Sequence, residues 1–250
     1  MMNKYIFLII VFIFFPDLKA MHNDDHKFLN VEYHFCSFKA NMGMNDLMKS
    51  VKKFNSFLKQ NSSKQSYQAA LLVAKYDMDS EYDYIWYGAW PSRKAKAMSL
   101  DNWNEKGSDI NNEFGAISEC DSVSGYQYVA RDGGNQASSS PAPVYYRWCN
   151  MNEGVTRAEV RETVDEWNSV AVKAGYKGSA RIFYPMIGTR SSFEADTIFV
   201  DIPGSHMNEH DNWELRRENP QWWEKTGPKF DKQLTCSDNT VQYEAIALTN

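Results

Sequence analysis

What the chain lacks narrows it before its contents are read. No C-x-x-C pair occurs in its 250 residues, which disfavours a cysteine-cluster zinc site. There is no serine-centred nucleophile elbow, no glycine loop to cradle phosphates and no dinucleotide fingerprint. No basic run, and no basic stripe interleaved with aromatics, is available to neutralise a phosphate backbone, and the net charge is −5. Nucleic acid is therefore not expected as a partner. The apolar run Tyr5 to Phe15 is too short to span a bilayer as a helix. With Lys4 before it, Pro16 after it and Leu18-Lys-Ala20 offering a cleavage point, residues 1–20 read as a secretory signal. A retained anchor is the alternative. No cysteine follows the run, so a lipoprotein anchor is not indicated. Removing Lys4, Asp17 and Lys19 leaves 25 basic and 31 acidic residues, net −6. The expected location is periplasmic or secreted, with no stable membrane anchor after cleavage.

What is present is a core and a repeat. Hydrophobic residues make up 43% and aromatics 14%, ample for burial. Val31-Glu-Tyr-His-Phe-Cys36 returns 113 residues later as Val144-Tyr-Tyr-Arg-Trp-Cys149. At the same offset of 113, Val51-Lys-Lys-Phe-Asn-Ser56 returns as Val164-Asp-Glu-Trp-Asn-Ser169. Asp101-Asn-Trp103 returns as Asp211-Asn-Trp213, and Phe114 and Cys120 as Phe230 and Cys236. The expected organisation is repeat 1 over 28–131, a linker over 132–143 and repeat 2 over 144–250. Four cysteines in an exported chain suggest disulfides and allow three pairings. The repeat favours Cys36–Cys120 and Cys149–Cys236, which put the same bridge in both copies. Four free thiols or a metal site are the alternatives.

Periodicity gives the elements. Val31 to Phe38 alternates as a strand, and Leu47, Val51, Phe54 and Leu58 mark an amphipathic helix. Tyr67 to Lys75 and Tyr84 to Trp90 are strands. Asp101-Asn-Trp103 opens a second helical region, broken near Gly107. Tyr126 to Arg131 is the last strand. Copy two repeats this with strands at Val144–Asn150, Ala180–Met186, Thr197–Ile202 and Val241–Leu248. Pro185 marks an edge or bulge. The order β-α-β-β-α-β is that of a ferredoxin-like unit. The first and last strands of such a unit are neighbours, which suits the expected bridges.

Two tandem ferredoxin-like units resemble the dimeric α+β barrel superfamily in a fused, pseudo-dimeric form. Antibiotic-biosynthesis-type monooxygenases, EthD-like, NIPSNAP-like and haem-binding chlorite dismutase-like proteins belong there. The resemblance covers residues 31–250 at the level of element order and implies an α+β fold. It further implies two sheets packed face to face, helices outside and any ligand within. No family motif is matched, so no functional residue carries over. His34 lies on a strand, where an axial haem ligand is not expected, and no cofactor is expected.

Agreement between copies places Val31, Tyr33 and Phe35, with Val144, Tyr146 and Trp148, on the helix-packing face. The barrel interior is then expected to hold Glu32, His34 and Cys36 against Tyr145, Arg147 and Cys149, with Trp86, Trp90, Phe199 and Asp201 from the third strands. His34, Arg147 and Asp201 are the candidate catalytic groups. Arg147 would grip an anion and His34 would move a proton. Glu32, Tyr145, Trp86, Trp90 and Phe199 are the candidate substrate contacts. The competing reading is that the same residues close the barrel, with Arg147 paired to Glu32 or Asp201. His206-Met-Asn-Glu209-His210 fits the H-x-x-E-H pattern, but it falls in an expected loop and reads as incidental. Asn61-Ser-Ser63 and His22 to His26 read as solvated segments. Two function classes follow: a cofactor-independent oxygenase, isomerase or lyase acting on a small aromatic or unsaturated acid, or a non-catalytic exported binding or interaction protein. In the first the partner is a small-molecule ligand, in the second the same cavity holds a ligand or is filled, and in either the protein is expected to be a monomer or weak oligomer.

Overall fold

Strand β1 (Phe28–Phe38) sets the architecture, because its two faces meet different surroundings. A computed structural model describes it as part of residues 27–61, 67–76, 81–133, 141–188 and 195–248. The expected signal segment, most of the expected linker, His22 to His26 and the serines of the sequon lie outside the described residues. After β1 come α1 (Met44–Asn61), β2 (Gln68–Tyr76), β3 (Tyr84–Trp90), α2 (Arg93–Lys106), α3 (Ser108–Ile117) and β4 (Ser118–Arg131). The chain continues through β5 (Ala142–Met151), α4 (Arg157–Lys173), β6 (Ser179–Ile187), β7 (Thr197–Ile202), α5 (His206–Glu218), α6 (Gln221–Gln233), β8 (Leu234–Cys236) and β9 (Val241–Ala247).

All the strand pairings are antiparallel. The strands run β7-β6-β4-β1-β3-β2-β9-β5, and β5 pairs with β7 to close the ring. Short β8 extends the line of β9 along β5, pairing Cys149 with Cys236. The first half contributes the run β4-β1-β3-β2 and the second β9-β5-β7-β6. The halves are joined through β2–β9 and β4–β6. Closure leaves no unpaired sheet edge in the ring, which removes a site of strand-on-strand aggregation. Pro185 sits opposite Gly125 where the β4–β6 register shifts, so its missing N–H falls at a bulge.

The expected faces of the strands are reversed. Val31 and Tyr33 of β1 pack with Val144 and Tyr146 of β5 and with Phe183 of β6 in one buried cluster that draws on both halves. That cluster fills the barrel. Cys36 belongs to a second cluster with Leu47, Val51 and Phe54 of α1, and Cys149 to a third with Val160 and Val164 of α4. Residues of this parity, including Glu32, His34, Tyr145 and Arg147, therefore face the helices. The reason is solvation. Charged groups are costly in a closed barrel, where Arg181 needs a hydrogen-bonded set of its own, while the space between sheet and helices reaches water.

Polar groups do occur inside the barrel, as a linked set. Tyr146 donates to the Tyr33 hydroxyl at 3.4 Å, and Gln127 Nε2 donates to it at 2.6 Å. Tyr87 donates to Gln127 Oε1 at 2.9 Å, and Arg181 Nη1 to the Tyr87 hydroxyl at 2.9 Å. Burial pushes the Tyr33, Tyr87 and Tyr146 phenols above their usual range. Two disulfides fasten first strand to last in each half, Cys36 to Cys120 and Cys149 to Cys236.

Two helices begin at serine caps, earlier in the chain than expected. Helix α2 begins at Arg93, well before Asp101, because Ser92 accepts from Ala95 N at its start. Ser205 likewise caps α5, so His206, Glu209 and His210 lie on a helix and not in a loop.

Candidate functional site

A cavity of about 420 Å³ lies in the first half, between the outer face of the sheet and the three helices α1, α2 and α3. Its floor is β1 and β3, with Glu32, His34 and Cys36 from one strand and Tyr84, Trp86 and Trp90 from the other. Alternation aims all six side chains to the same side. Helix α1 supplies Phe54, Phe57 and Leu58, α2 supplies Leu100, Asn102 and Trp103, and α3 supplies Asn111 and Phe114.

The walls are rings held edge to face. Phe54 lies 5.3 Å from Trp86, 5.7 Å from Trp103 and 6.0 Å from Phe114 between ring centroids. Each such contact adds about 0.5–1.5 kcal/mol beyond burial. Trp86 Nε1 donates to the Tyr67 hydroxyl at 2.9 Å, and the Tyr67 ring lies 4.7 Å from Trp90. Gly88 makes room for that ring, since a Cβ there would meet the Tyr67 hydroxyl at 2.7 Å. Helix α2 has no fully buried side chain and covers the cavity as a thin layer.

One end of the cavity is polar. His34 Nε2 lies 3.2 Å from Glu32 Oε1, and His34 Nδ1 lies 2.6 Å from Ser122 Oγ on the neighbouring strand. Glu32 accepts only, so Nε2 carries a proton, and in the neutral imidazole Nδ1 is then the acceptor for the serine hydroxyl. Lys96 of α2 lies 3.5 Å from Glu32 Oε2 and donates to Ser124 Oγ at 2.5 Å. Its ammonium also sits 5.1 Å from the Trp90 ring centroid.

The sequence-derived site divides in two. His34, Glu32, Trp86 and Trp90 come together here. Arg147, Asp201, Tyr145 and Phe199 do not. Strands β1 and β5 are separated by three strands in either direction around the ring, so their outward side chains point to opposite sides. Arg147 is exposed and donates from Nε to the Ser237 carbonyl at 3.3 Å. Asp201 accepts from Arg131 Nη2 at 2.9 Å and from the Tyr176 hydroxyl at 3.3 Å. Burial raises the Asp201 carboxyl, against the opposing pull of Arg131 and Arg216. Phe199 packs on Phe230 of α6 at 6.1 Å, and burial together with the Glu209 carboxylate raises the Tyr145 phenol. Sequence reasoning missed Lys96, Ser122 and Tyr67. No motif marks them, and only the cross-strand register His34↔Ser122 brings that pair together.

No family model and no curated protein matches the chain. Solved structures do. A candidate monooxygenase from Lactobacillus acidophilus NCFM is 7% identical, with a TM-score of 0.54 over 89% of this chain and 95% of that one. Chlorite dismutase from Candidatus Nitrospira defluvii is 10% identical, with a TM-score of 0.50 over 92% and 94%. The chain has the dimeric α+β barrel fold. At such identities the likeness covers the fold alone. Within this dimeric α+β barrel, haem does not fit the first-half cavity. Among the described residues His34 is the only imidazole lining it, and its ring nitrogens are held by Glu32 and Ser122. Among the described residues no three His, Cys, Asp or Glu side chains are grouped to hold a metal ion, and this includes His206 and His210.

Proposed function

We propose that the protein is an exported small-molecule-binding barrel whose site is the aromatic cavity of the first half. The ligand is a flat aromatic or conjugated molecule bearing an ionisable hydroxyl. The observation that carries this reading is the ring-walled cavity closed at one end by the Glu32–His34 pair. The rings supply apolar contact, and His34 Nδ1 is available to accept a proton once Ser122 gives way. A carboxylate would meet Glu32 there and find Lys96 already engaged, so a phenol suits the cavity better than an acid. Proton removal by His34 is the step that a cofactor-independent oxygenase, isomerase or lyase would use. A non-catalytic carrier would use the same groups only to orient its ligand.

We also read the two halves as tandem ferredoxin-like units, residues 28–131 and 144–250 joined by 132–143, derived from one duplicated unit. The matching strand order and the matching bridges support this. The bridges support a periplasmic or secreted setting after loss of residues 1–20. No described helix is long and apolar enough to cross a membrane. Sedimentation should report a monomer or weak oligomer.

Titration with 1-naphthol, followed by tryptophan fluorescence, tests the site. Trp86, Trp90 and Trp103 line it, so binding should quench emission. His34→Ala should weaken binding, and Arg147→Ala should leave it unchanged. Leu100→Trp should block the cavity. Quenching that survives Leu100→Trp, or that depends on Arg147, would place the ligand elsewhere.

A further inference from the structure

The polar end of the cavity borders more than a base: Ser122 stands outside the lining, beside the lining His34. Ser122 lies directly opposite His34 on the paired strands β1 and β4. It is exposed, so a substrate can reach its hydroxyl. Its Oγ is 2.6 Å from His34 Nδ1, and the opposite ring nitrogen is 3.2 Å from the mostly buried carboxylate of Glu32. Carboxylate, imidazole and hydroxyl thus stand in line, with the imidazole tautomer fixed so that its free lone pair faces the serine. This is the arrangement that activates a weak hydroxyl nucleophile, and it is recognised by geometry and not by sequence order. A nucleophile-elbow pattern could not reveal it, because Ser122 sits within a strand.

We infer that Ser122 is the nucleophile of an acyl-transfer site acting on esters whose aromatic acyl group occupies the cavity. The Oγ–H proton passes to His34 Nδ1 as Oγ bonds to the ester carbonyl carbon. The carbonyl electron pair moves onto its oxygen. Lys96, which donates to Ser124 two residues along the same strand face, is the cation that would have to turn from Glu32 towards that developing oxyanion. The electron pair returns, the bond to the leaving alkoxide breaks, and the proton on His34 goes to that alkoxide. Water then attacks the acyl-serine as His34 again takes a proton; the electron pair on oxygen returns, the Oγ–acyl bond breaks and His34 gives the proton back to Ser122 Oγ. The products are the free aromatic acid and the alcohol, and no oxidant or metal enters the balance. Glu32 is a positioning residue here. It holds the imidazole and balances its charge during transfer. The inference rests on the cavity reading only for where the acyl ring sits.

Treatment of the disulfide-bonded full chain with a fluorophosphonate probe, followed by peptide mapping, is the test. One adduct is expected, on Ser122. It should be absent in Ser122→Ala and at least about 100-fold slower in His34→Gln. Glu32→Gln should slow labelling, and Glu32→Asp should restore part of it while both variants melt as the parent does. A purely structural carboxylate would not give that split. With 4-nitrophenyl benzoate, the parent should release 4-nitrophenolate in a burst that Ser122→Ala lacks. No adduct, an adduct on another residue, or labelling indifferent to His34→Gln would overturn the inference. Quenching by 1-naphthol, read on Ser122→Ala, separates the two readings. Quenching without labelling of the parent refutes the nucleophile alone. Labelling without quenching refutes the cavity as the binding site alone.

Discussion

Removing one disulfide at a time is a quantitative test of how the barrel is held. The bridges span 84 and 87 residues. Loop closure on that scale removes about 15 cal/mol/K from the unfolded ensemble, or about 4.6 kcal/mol at 25 °C for each bridge. The two loops differ so little in length that this contribution should agree to within about 0.1 kcal/mol. Alanine is the right replacement, because Cys36 and Cys149 are each 1% exposed and a serine hydroxyl there would add a desolvation cost of its own. Cys36→Ala/Cys120→Ala and Cys149→Ala/Cys236→Ala should be compared with the parent by urea unfolding. With a slope of about 3 kcal/mol/M, each midpoint should fall by about 1.5 M. Any large difference between the pairs would come from the folded state. The first bridge borders the open cavity, whereas the second packs against Val160, Val164 and Leu234. Its removal leaves a void among packed side chains and should be the costlier of the two. A loss below about 1 kcal/mol for either pair would refute the loop-closure account.

Three further outcomes follow from interactions already described. Tyr33→Phe deletes a hydroxyl that accepts from both Gln127 and Tyr146, and stranding those donors inside the barrel should cost about 1–3 kcal/mol by thermal or urea unfolding. Arg131 is 4% exposed and spends its donors on Gly178, Asn168 and Asp201, so Arg131→Met should cost about 3–5 kcal/mol, with part recovered when Asp201→Asn is added. Glu166, held by Lys225 and Lys229, titrates at about 2 instead of 4.5. A lowered carboxylate stabilises above its unfolded value, so the tie between α4 and α6 should be intact above about 4.5 and vanish as pH falls to about 2. Amide exchange in α6 should rise through that window, and Glu166→Gln should abolish the step.

The order of strands was legible because it rests on local signals. Tyr84–Trp90 and Thr197–Ile202 have the bounds that their apolar runs and terminal prolines suggest. The faces were not legible. Strand β3 reads Tyr-Ile-Trp-Tyr-Gly-Ala-Trp, apolar on both sides, because one side fills a barrel and the other packs under helices. Similarity between Val31, Tyr33, Phe35 and Val144, Tyr146, Trp148 showed which residues share a role and could not say which role. The decisive clue is the partner of each cysteine. Cys36 and Cys149 have the parity of His34 and Arg147, and they pack against the stripes of α1 and α4. Glu32, His34, Trp86 and Trp90 are therefore brought together, but on the outer side of the sheet and without Arg147, Asp201, Tyr145 and Phe199. Lys96 and Ser122 stayed invisible because they meet His34 through register and helix placement, neither of which has a sequence pattern.

The two halves share a strand order, and the cavity described here lies against the first of them. In the second half Trp222 is buried against Ala171 and Tyr176 under α4 and α6. Had the barrel been assembled from two identical chains, every substitution would be made twice, and a serine set opposite a histidine on one side would recur on the other. A single continuous chain escapes that symmetry. One side can gather rigid mass and stiffen the ring, while the other trades packing for an opening and a reactive edge.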